Sequence, residues 1–311
     1  MGLLFQTPRA RLQRVVRRLT RDDASPLAGR TVLVTGASSG IGEATALAVA
    51  RRGATVLLVA RRADELDRVR AAIEADGGRA ATYVCDLTDG QSVDALVERV
   101  LAEHGAVDYL VNNAGRSIRR SLHLTHDRFH DFERTMAVNY FGPVRLTMGL
   151  LPTMRAQRFG HVVNIVTWGV QIKAPKFAAY IASKTALDTW SRIASREAYG
   201  DNVTFTNMRV SLVRTAMVAP TEAYAGRRAA TPEQAATRVV RALEDRPITL
   251  NVAVGSVAEV FNLVAPRLSD ALMSRFDKAY PDSAAARASE PVSSPPNSAP
   301  SPRTARRRDP A

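Results

Sequence analysis

From Arg30 onward, short runs of apolar, β-prone residues alternate with longer stretches in which apolar positions recur every three or four residues. RTVLVT, ATVLLVA, AATYVC, DYLVN, HVVNIV, VTFTNM and ITLNVAV are seven runs of strand length. Most are continuously apolar, as strands covered on both faces must be. Between them, residues 41–52, 63–76, 89–104, 126–151, 180–199 and 231–244 have helical length and period. Thr231-Pro232-Glu233 supplies a helix start, a capping hydroxyl followed by proline at the first helical position. The alternation predicts an α/β fold: a doubly wound, seven-stranded parallel sheet in a single domain.

The two ends depart from this pattern. Residues 7–21 open with Thr7 and Pro8 and place Leu12, Val15, Val16 and Leu19 on one helical stripe among arginines. The expected organisation is therefore a basic amphipathic N-terminal helix over 1–24 and the catalytic sheet domain over 25–255. A C-terminal helical extension follows over 256–282, interrupted near Pro266. A tail of Ala, Ser, Pro and Arg over 283–311 has too little apolar surface to offset its ordering entropy and is expected to be disordered.

Composition narrows the partners. The formal charge is +13, but residues 1–24 carry six Arg against Asp22 and Asp23, and residues 283–311 five Arg against Glu290 and Asp309. Much of the excess thus sits outside the sheet domain, with no aromatic-basic module beside it, so no nucleic acid is expected. An anionic cofactor, or an anionic membrane surface met by the N-terminal helix, fits the charge. Cys85 is the sole cysteine, and no run is long and apolar enough to span a bilayer. A cytoplasmic location follows, with peripheral attachment to a membrane through residues 1–24 as the added expectation.

Two constellations carry chemistry. The first strand runs into Gly36, Ser38, Ser39, Gly40, Ile41 and Gly42, a glycine loop that opens a helix. Glycine lets the backbone turn and approach a pyrophosphate, whose charge meets the helix N-terminus. The second strand ends in Arg61 and Arg62, where an acidic residue would bind the adenosine ribose hydroxyls. Two guanidiniums suit a 2′-phosphate instead, so the expected cofactor is NADP(H). Further on, Tyr180 and Lys184 lie one helical turn apart. A fixed cation favours the anionic form of a phenol and suits it to acid-base work near neutrality. Arg outnumbers Lys 39 to 4 in this chain, yet Lys stands here. A compact ammonium reaches where a planar guanidinium fits badly.

TGASSGIG, Cys85-Asp86-Leu87-Thr88, Asn112-Asn113-Ala114-Gly115, Asn139 and Tyr180–Lys184 together resemble the short-chain dehydrogenase/reductase family, across roughly residues 28–255. The resemblance implies a single Rossmann-type domain. It implies that Tyr180 is the general acid, that Lys184 tunes it and binds the nicotinamide ribose, and that Asn139 holds a water in a proton relay. Asp86 and Leu87 would contact adenine, Asn113, Ala114 and Gly115 the ribose, and Val213 and Thr215 the carboxamide. Many members are homo-oligomers, which is the expectation here.

Two positions depart from the family. Thr167 stands where the family has its active-site serine; it keeps the hydroxyl but adds a methyl that stiffens χ1. Val210-Ser211 replaces the usual Pro-Gly. A narrower likeness, to bacterial NADPH-dependent long-chain fatty acyl-CoA reductases, lies in Gly115–Arg120, His126–Met136, Leu212–Thr221 and Tyr280–Ala286. It implies a small-molecule carbonyl substrate, an acyl-CoA reduced to an aldehyde. Arg116, Arg119 and Arg120 offer charge for CoA phosphates, or else form a solvated basic loop, and segment 216–230 suits an apolar lid. His126 and His130 have helical spacing without a third ligand, so no metal site is expected. Two other readings stand beside this one: a reductase or dehydrogenase of another ketone or alcohol, and a catalytically weak NADP(H)-binding sensor or scaffold.

Overall fold

The computed structural model describes residues 25–218, 226 and 229–287. The expected N-terminal helix and most of the expected tail lie outside the described residues. Strands β1 (Thr31–Thr35), β2 (Thr55–Ala60), β3 (Arg79–Val84), β4 (Tyr109–Asn112), β5 (Gly160–Thr167), β6 (Val203–Val210) and β7 (Thr249–Leu250) form one sheet. Their order is β3-β2-β1-β4-β5-β6-β7 and every pairing is parallel. The chain's direction of travel across the sheet reverses between β1 and β4, which opens a crevice at the carboxyl ends of the strands.

The helices are α1 (Gly40–Ala50), α2 (Ala63–Ala75), α3 (Gly90–His104), α4 (Phe129–Met136), α5 (Gly142–Ala156), α6 (Gly169–Ile172), α7 (Ala178–Glu197), α8 (Pro232–Asp245), α9 (Ala253–Val264), α10 (Pro266–Ala279) and α11 (Ala284–Arg287). Strand alternation sorts the core onto two faces. Val32, Val34, Val56 and Leu58 point to the side covered by α1, α2 and α8, where they meet Val49, Leu66, Ile73 and Leu243. Leu33, Leu57 and Val59 point the other way, to Leu96 and Val100 of α3 and Leu146, Leu150 and Met154 of α5. The predicted start of α8 is a full capping box: the Thr231 hydroxyl accepts from the Gln234 N–H, and the Gln234 side chain accepts from the Thr231 N–H. Such a cap contributes about 1 kcal/mol.

Three boundaries differ from expectation. The helix predicted over 126–151 begins only at Phe129 and is interrupted by a π turn, Ala137–Phe141, before α5. No residue type announces that turn; it is set by what Asn139 must reach. The last strand keeps only Thr249 and Leu250, and α9 begins at Ala253, inside the predicted boundary at 255. Gly255 permits this close seating, since a Cβ there would stand 2.4 Å from Gln171 Oε1. Order also runs past Ser283: α11 buries Ala286, and the Arg120 guanidinium donates to the Ala286 carbonyl at 2.8 Å. A charged donor and a buried methyl offset the ordering entropy that composition alone leaves uncompensated.

Candidate functional site

A cavity of about 1480 Å³ lies over the carboxyl ends of the strands. Its first wall is the glycine loop. Gly36 and Gly40 adopt φ of +66° and +57°, which strain any residue with a Cβ. A Cβ at Gly36 would stand 2.9 Å from Asn113 Nδ2, and one at Gly42 would stand 2.1 Å from the Gly36 carbonyl oxygen. Ser39 caps α1 without using its side chain, so the first N–H groups of the helix remain open toward the cavity. The loop is tied to the end of β4: the Thr35 hydroxyl donates to the Val111 carbonyl and accepts from the N–H groups of Asn113 and Ala114, both at 3.0 Å. Asn113 Nδ2 returns a bond to the Thr35 carbonyl at 2.9 Å. Ser38 and Ile41 complete this wall.

Arg61 and Arg62 line the cavity at the end of β2 and are exposed. Arg62 is held only loosely, 3.6 Å from Glu65. Asp86 and Leu87 follow β3 on the same side. The Asp86 carboxyl accepts from the Thr88 N–H and hydroxyl, and these bonds, with the nearby Arg61 charge, hold its pKa below the usual range against the opposing effect of burial. An open helix terminus, a cradle that side chains would fill and two available guanidiniums fit a phosphorylated dinucleotide.

The chemistry sits at the other end. Tyr180 occupies the first turn of α7, with Lys184 one turn on, and both line the cavity. Lys184 is 4% exposed and donates to the Ile165 carbonyl at 2.9 Å. Burial alone lowers its pKa to about 8. The π turn brings in Asn139, fully buried. Its Oδ1 accepts from the Arg116 N–H, and its Nδ2 donates to the Arg116 carbonyl and the Ser183 hydroxyl, each at 2.9 Å. A Cβ on Gly115 would lie 2.8 Å from Asn139 Oδ1 and 3.2 Å from Lys184 Nζ. Gly115 is therefore the point where all three elements converge.

Thr167 ends β5, 9% exposed, its hydroxyl accepting from the Gly169 N–H at 3.1 Å. It lines the same cavity as Tyr180. Val210-Ser211 is anchored without the family's Pro-Gly: the Trp168 N–H donates to the Val210 carbonyl at 3.0 Å. Val213 is buried and bridges Ala230. The Thr215 methyl lies 3.1 Å from where a Gly40 side chain would begin. Of the predicted site residues, all but Gly42 and Asn139 line one cavity, and Asn139 is tied to that lining through its bonds to the Arg116 main chain. Of the expected lid, Ala216, Met217 and Val218 line the cavity, while residues 219–225 and 227–228 lie outside the described residues.

Sequence reasoning missed the far wall. Phe261 from α9 and Leu272, Met273 and Phe276 from α10 face the cavity. Their helical spacing is a signal of burial, but not of burial against an empty space. It also left open the basic loop after β4. Arg119 donates to the carbonyls of Tyr280 and Pro281 at 2.8 and 3.0 Å, and Arg120 to that of Ala286. Lys176 bonds both the carbonyl and the carboxylate of Asp277. Neither a solvated loop nor a free phosphate grip describes Arg119 and Arg120; they clamp the C-terminal segment. Arg116 stays exposed at the cavity's edge. His126 and His130 join no metal-holding group among the described residues. No described helix is long and apolar enough to cross a membrane.

Comparison with known proteins agrees with this geometry. A fatty acyl-CoA reductase of Acinetobacter baylyi is 46% identical over 258 residues, covering 83% of this chain and 88% of its own. The structure of a short-chain dehydrogenase from Streptomyces avermitilis superposes with a TM-score of 0.69 at 31% identity, over 82% of this chain and all of that one. That of an NADP-bound 3-oxoacyl-(acyl-carrier-protein) reductase from Agrobacterium tumefaciens gives 0.64 at 32% identity, over 69% and 87%. The short chain dehydrogenase family pattern matches residues 30–226, and the chain belongs to that family as an oxidoreductase that uses a nicotinamide cofactor.

Proposed function

We propose that the protein is an NADPH-dependent reductase of long-chain fatty acyl-CoA, releasing the aldehyde. The observation that carries this reading is one cavity lined by the glycine loop with Arg61 and Arg62, by Thr167 and Tyr180, and by the apolar side chains Phe261, Leu272, Met273 and Phe276. The 46% identity to the Acinetobacter reductase supports it. NADPH rather than NADH is favoured by Arg61 and Arg62 and by the NADP-bound structural relative.

When bound, the reduced nicotinamide supplies hydride to the carbonyl carbon of the thioester. The Thr167 hydroxyl and the Tyr180 phenol both reach the cavity, and in this reading they hydrogen-bond the carbonyl oxygen. Tyr180 donates its proton to that oxygen as charge develops, giving a hemithioacetal. The phenolate left behind is stabilised by the Lys184 cation. It takes the proton back as the carbon–sulfur bond breaks, so that the aldehyde and the CoA thiolate leave, and the thiolate takes the one net proton of the reaction from solvent. Asn139 holds the Arg116 main chain and Ser183 beside Lys184, and in this role keeps a proton route open at that point.

The test is NADPH consumption over acyl-CoAs of graded length, with the product identified by mass spectrometry. Each methylene removed from a buried chain should cost about 0.8 kcal/mol in kcat/KM, close to fourfold. Reduction of simple ketones with no acyl-CoA turnover would replace this reading with a ketoreductase.

A further inference from the structure

Helix α9 is built inside out. Its polar side chains face the body of the protein: Glu259 pairs with Arg209 at 3.3 Å and accepts from Gln171 Nε2 at 2.8 Å. Asn262 donates to the Gln171 carbonyl at 2.8 Å and accepts from the Ser269 hydroxyl. Apart from Ala258 and Phe261, which line the cavity, its larger apolar side chains face out. Val257 is 70% exposed, Leu263 82% and Val264 75%, and Val254, Val260 and Leu268 at the start of α10 extend the patch. A helix in water normally turns the opposite way. Single exposed apolar residues need no explanation, but a contiguous face of this kind marks a surface that something covers.

We infer that the outer face of α9 and the start of α10 docks on an anionic lipid surface. Charge favours this occupant. The acidic groups of the segment are mostly paired, with Glu259 on Arg209 though itself half exposed, Asp277 on Lys176, and Asp282 accepting from the Ser121 N–H. Exposed around the patch are Arg267, Arg275 and Lys278, against Asp270 and the Glu259 that Arg209 neutralises. Arg267 sits between Val264 and Leu268, and Arg275 lies on the same stripe of α10 as Leu268 and Leu272. A basic rim round an apolar helix face complements lipid headgroups over acyl chains. The same rim would meet like charge in a second copy packed face to face.

Continuity with the cavity argues the same way. Val254 belongs both to the exposed patch and to the cavity lining. Leu272 and Phe276 likewise line the cavity and remain partly exposed. An apolar path thus runs from the outer face toward Thr167 and Tyr180, and a molecule drawn from a bilayer could follow it without crossing water. This route rests on the proposed long-chain substrate; the docking itself does not.

The experiment uses the full chain and vesicles of phosphatidylglycerol and phosphatidylcholine in equal parts. Flotation should show binding, and Val257→Glu with Leu263→Glu should weaken it about a hundredfold. NADPH binding and the melting temperature should stay near those of the parent, because both side chains point away from the core. Undiminished vesicle binding by the variant, or none by the parent, would overturn the proposal. So would a dimer that the two substitutions convert to monomer without vesicle binding by either, since a second copy then covers the face. Turnover of acyl-CoA in vesicle-free solution reads the substrate separately. A chain that docks but reduces no acyl-CoA keeps this inference and loses the preceding one; a chain that reduces acyl-CoA and does not dock does the reverse.

Discussion

Lys184 Nζ donates to the carbonyl of Ile165 across 2.9 Å, in a position 4% exposed to solvent. The bond fixes the ammonium but does not repay its desolvation, and the pKa falls to about 8. A lysine whose pKa drops on folding is neutral in the fold and charged in the unfolded chain between about 8 and 10.5. The cation that the proposed mechanism uses is therefore lost as pH rises through about 8, well below an ordinary lysine. NADPH affinity should weaken across that limb, and Lys184→Met should bind weakly and with no such dependence. Fluorescence titration between pH 7 and pH 10 reads both; a flat parent profile would separate Lys184 from cofactor binding.

Tyr180→Phe removes one hydroxyl from the cavity wall and leaves the ring contact with Phe177 in place. Cofactor affinity should hold while turnover falls by about 10²–10⁴, the range for losing a general acid. Lys184→Arg should also lose most activity, because a planar guanidinium does not reproduce the buried ammonium's bond to the Ile165 carbonyl. Near-normal turnover by either variant counts against the assigned roles.

Replacing Arg61 and Arg62 with Ala should weaken NADPH binding tenfold to a hundredfold and leave NADH binding unchanged. That is the loss of about 1.5–3 kcal/mol from a charge-assisted contact. Equal losses for the two cofactors would show that these arginines do not read the 2′-phosphate.

The strands and the glycine loop were legible because their signals are local. An apolar run such as Val32–Val34 states its own burial, and Gly36 states its own φ. Tyr180 and Lys184 were legible through helical spacing, and the family likeness placed Asn139 and Thr167. What stayed hidden depends on partners far along the chain. Arg119 and Arg120 read equally as ligands for CoA phosphates or as a solvated basic loop, because the Tyr280 and Ala286 carbonyls they bind lie 161 and 166 positions away. The π turn at Asn139 was hidden because it answers to Arg116 and Ser183, not to its own neighbours. The outward face of α9 was hidden because amphipathicity tells that a helix has two faces, not which one the body takes.

His161 is fully buried between the hydroxyls of Thr204 and Thr206, at 2.7 and 3.2 Å from its two ring nitrogens. Burial first, and then the Arg246 charge, push its pKa down to about 3. Below about pH 6.5 the unfolded chain takes up a proton that the fold refuses, so stability is lost as pH falls from there toward 3. The slope from this one group reaches about 1.4 kcal/mol per pH unit. Between pH 6.5 and pH 5, urea unfolding should show the parent losing about 2 kcal/mol more than His161→Gln. Parallel losses would mean that His161 is not the titrating group.

The clamp on the C-terminal segment separates two roles for one pair of arginines. If Arg119 and Arg120 gripped CoA phosphates, their replacement by Ala would raise KM for acyl-CoA and spare a free aldehyde of the same chain length. The structure instead has them holding the carbonyls of Tyr280, Pro281 and Ala286, directly beyond the helix that carries Leu272, Met273 and Phe276 into the cavity. Each charged hydrogen bond lost costs about 1.5–3 kcal/mol, enough to free residues 280–287 from the body. The far wall of the cavity should then loosen while the Tyr180 end stays intact. KM should rise about tenfold or more for long-chain acyl-CoA and long-chain aldehyde alike, with short-chain substrates and kcat little changed. Limited trypsin digestion should cut faster at Lys278 and Arg287 in the double variant than in the parent. A loss confined to CoA substrates, with the proteolysis pattern unaltered, would return these arginines to the phosphate-binding role.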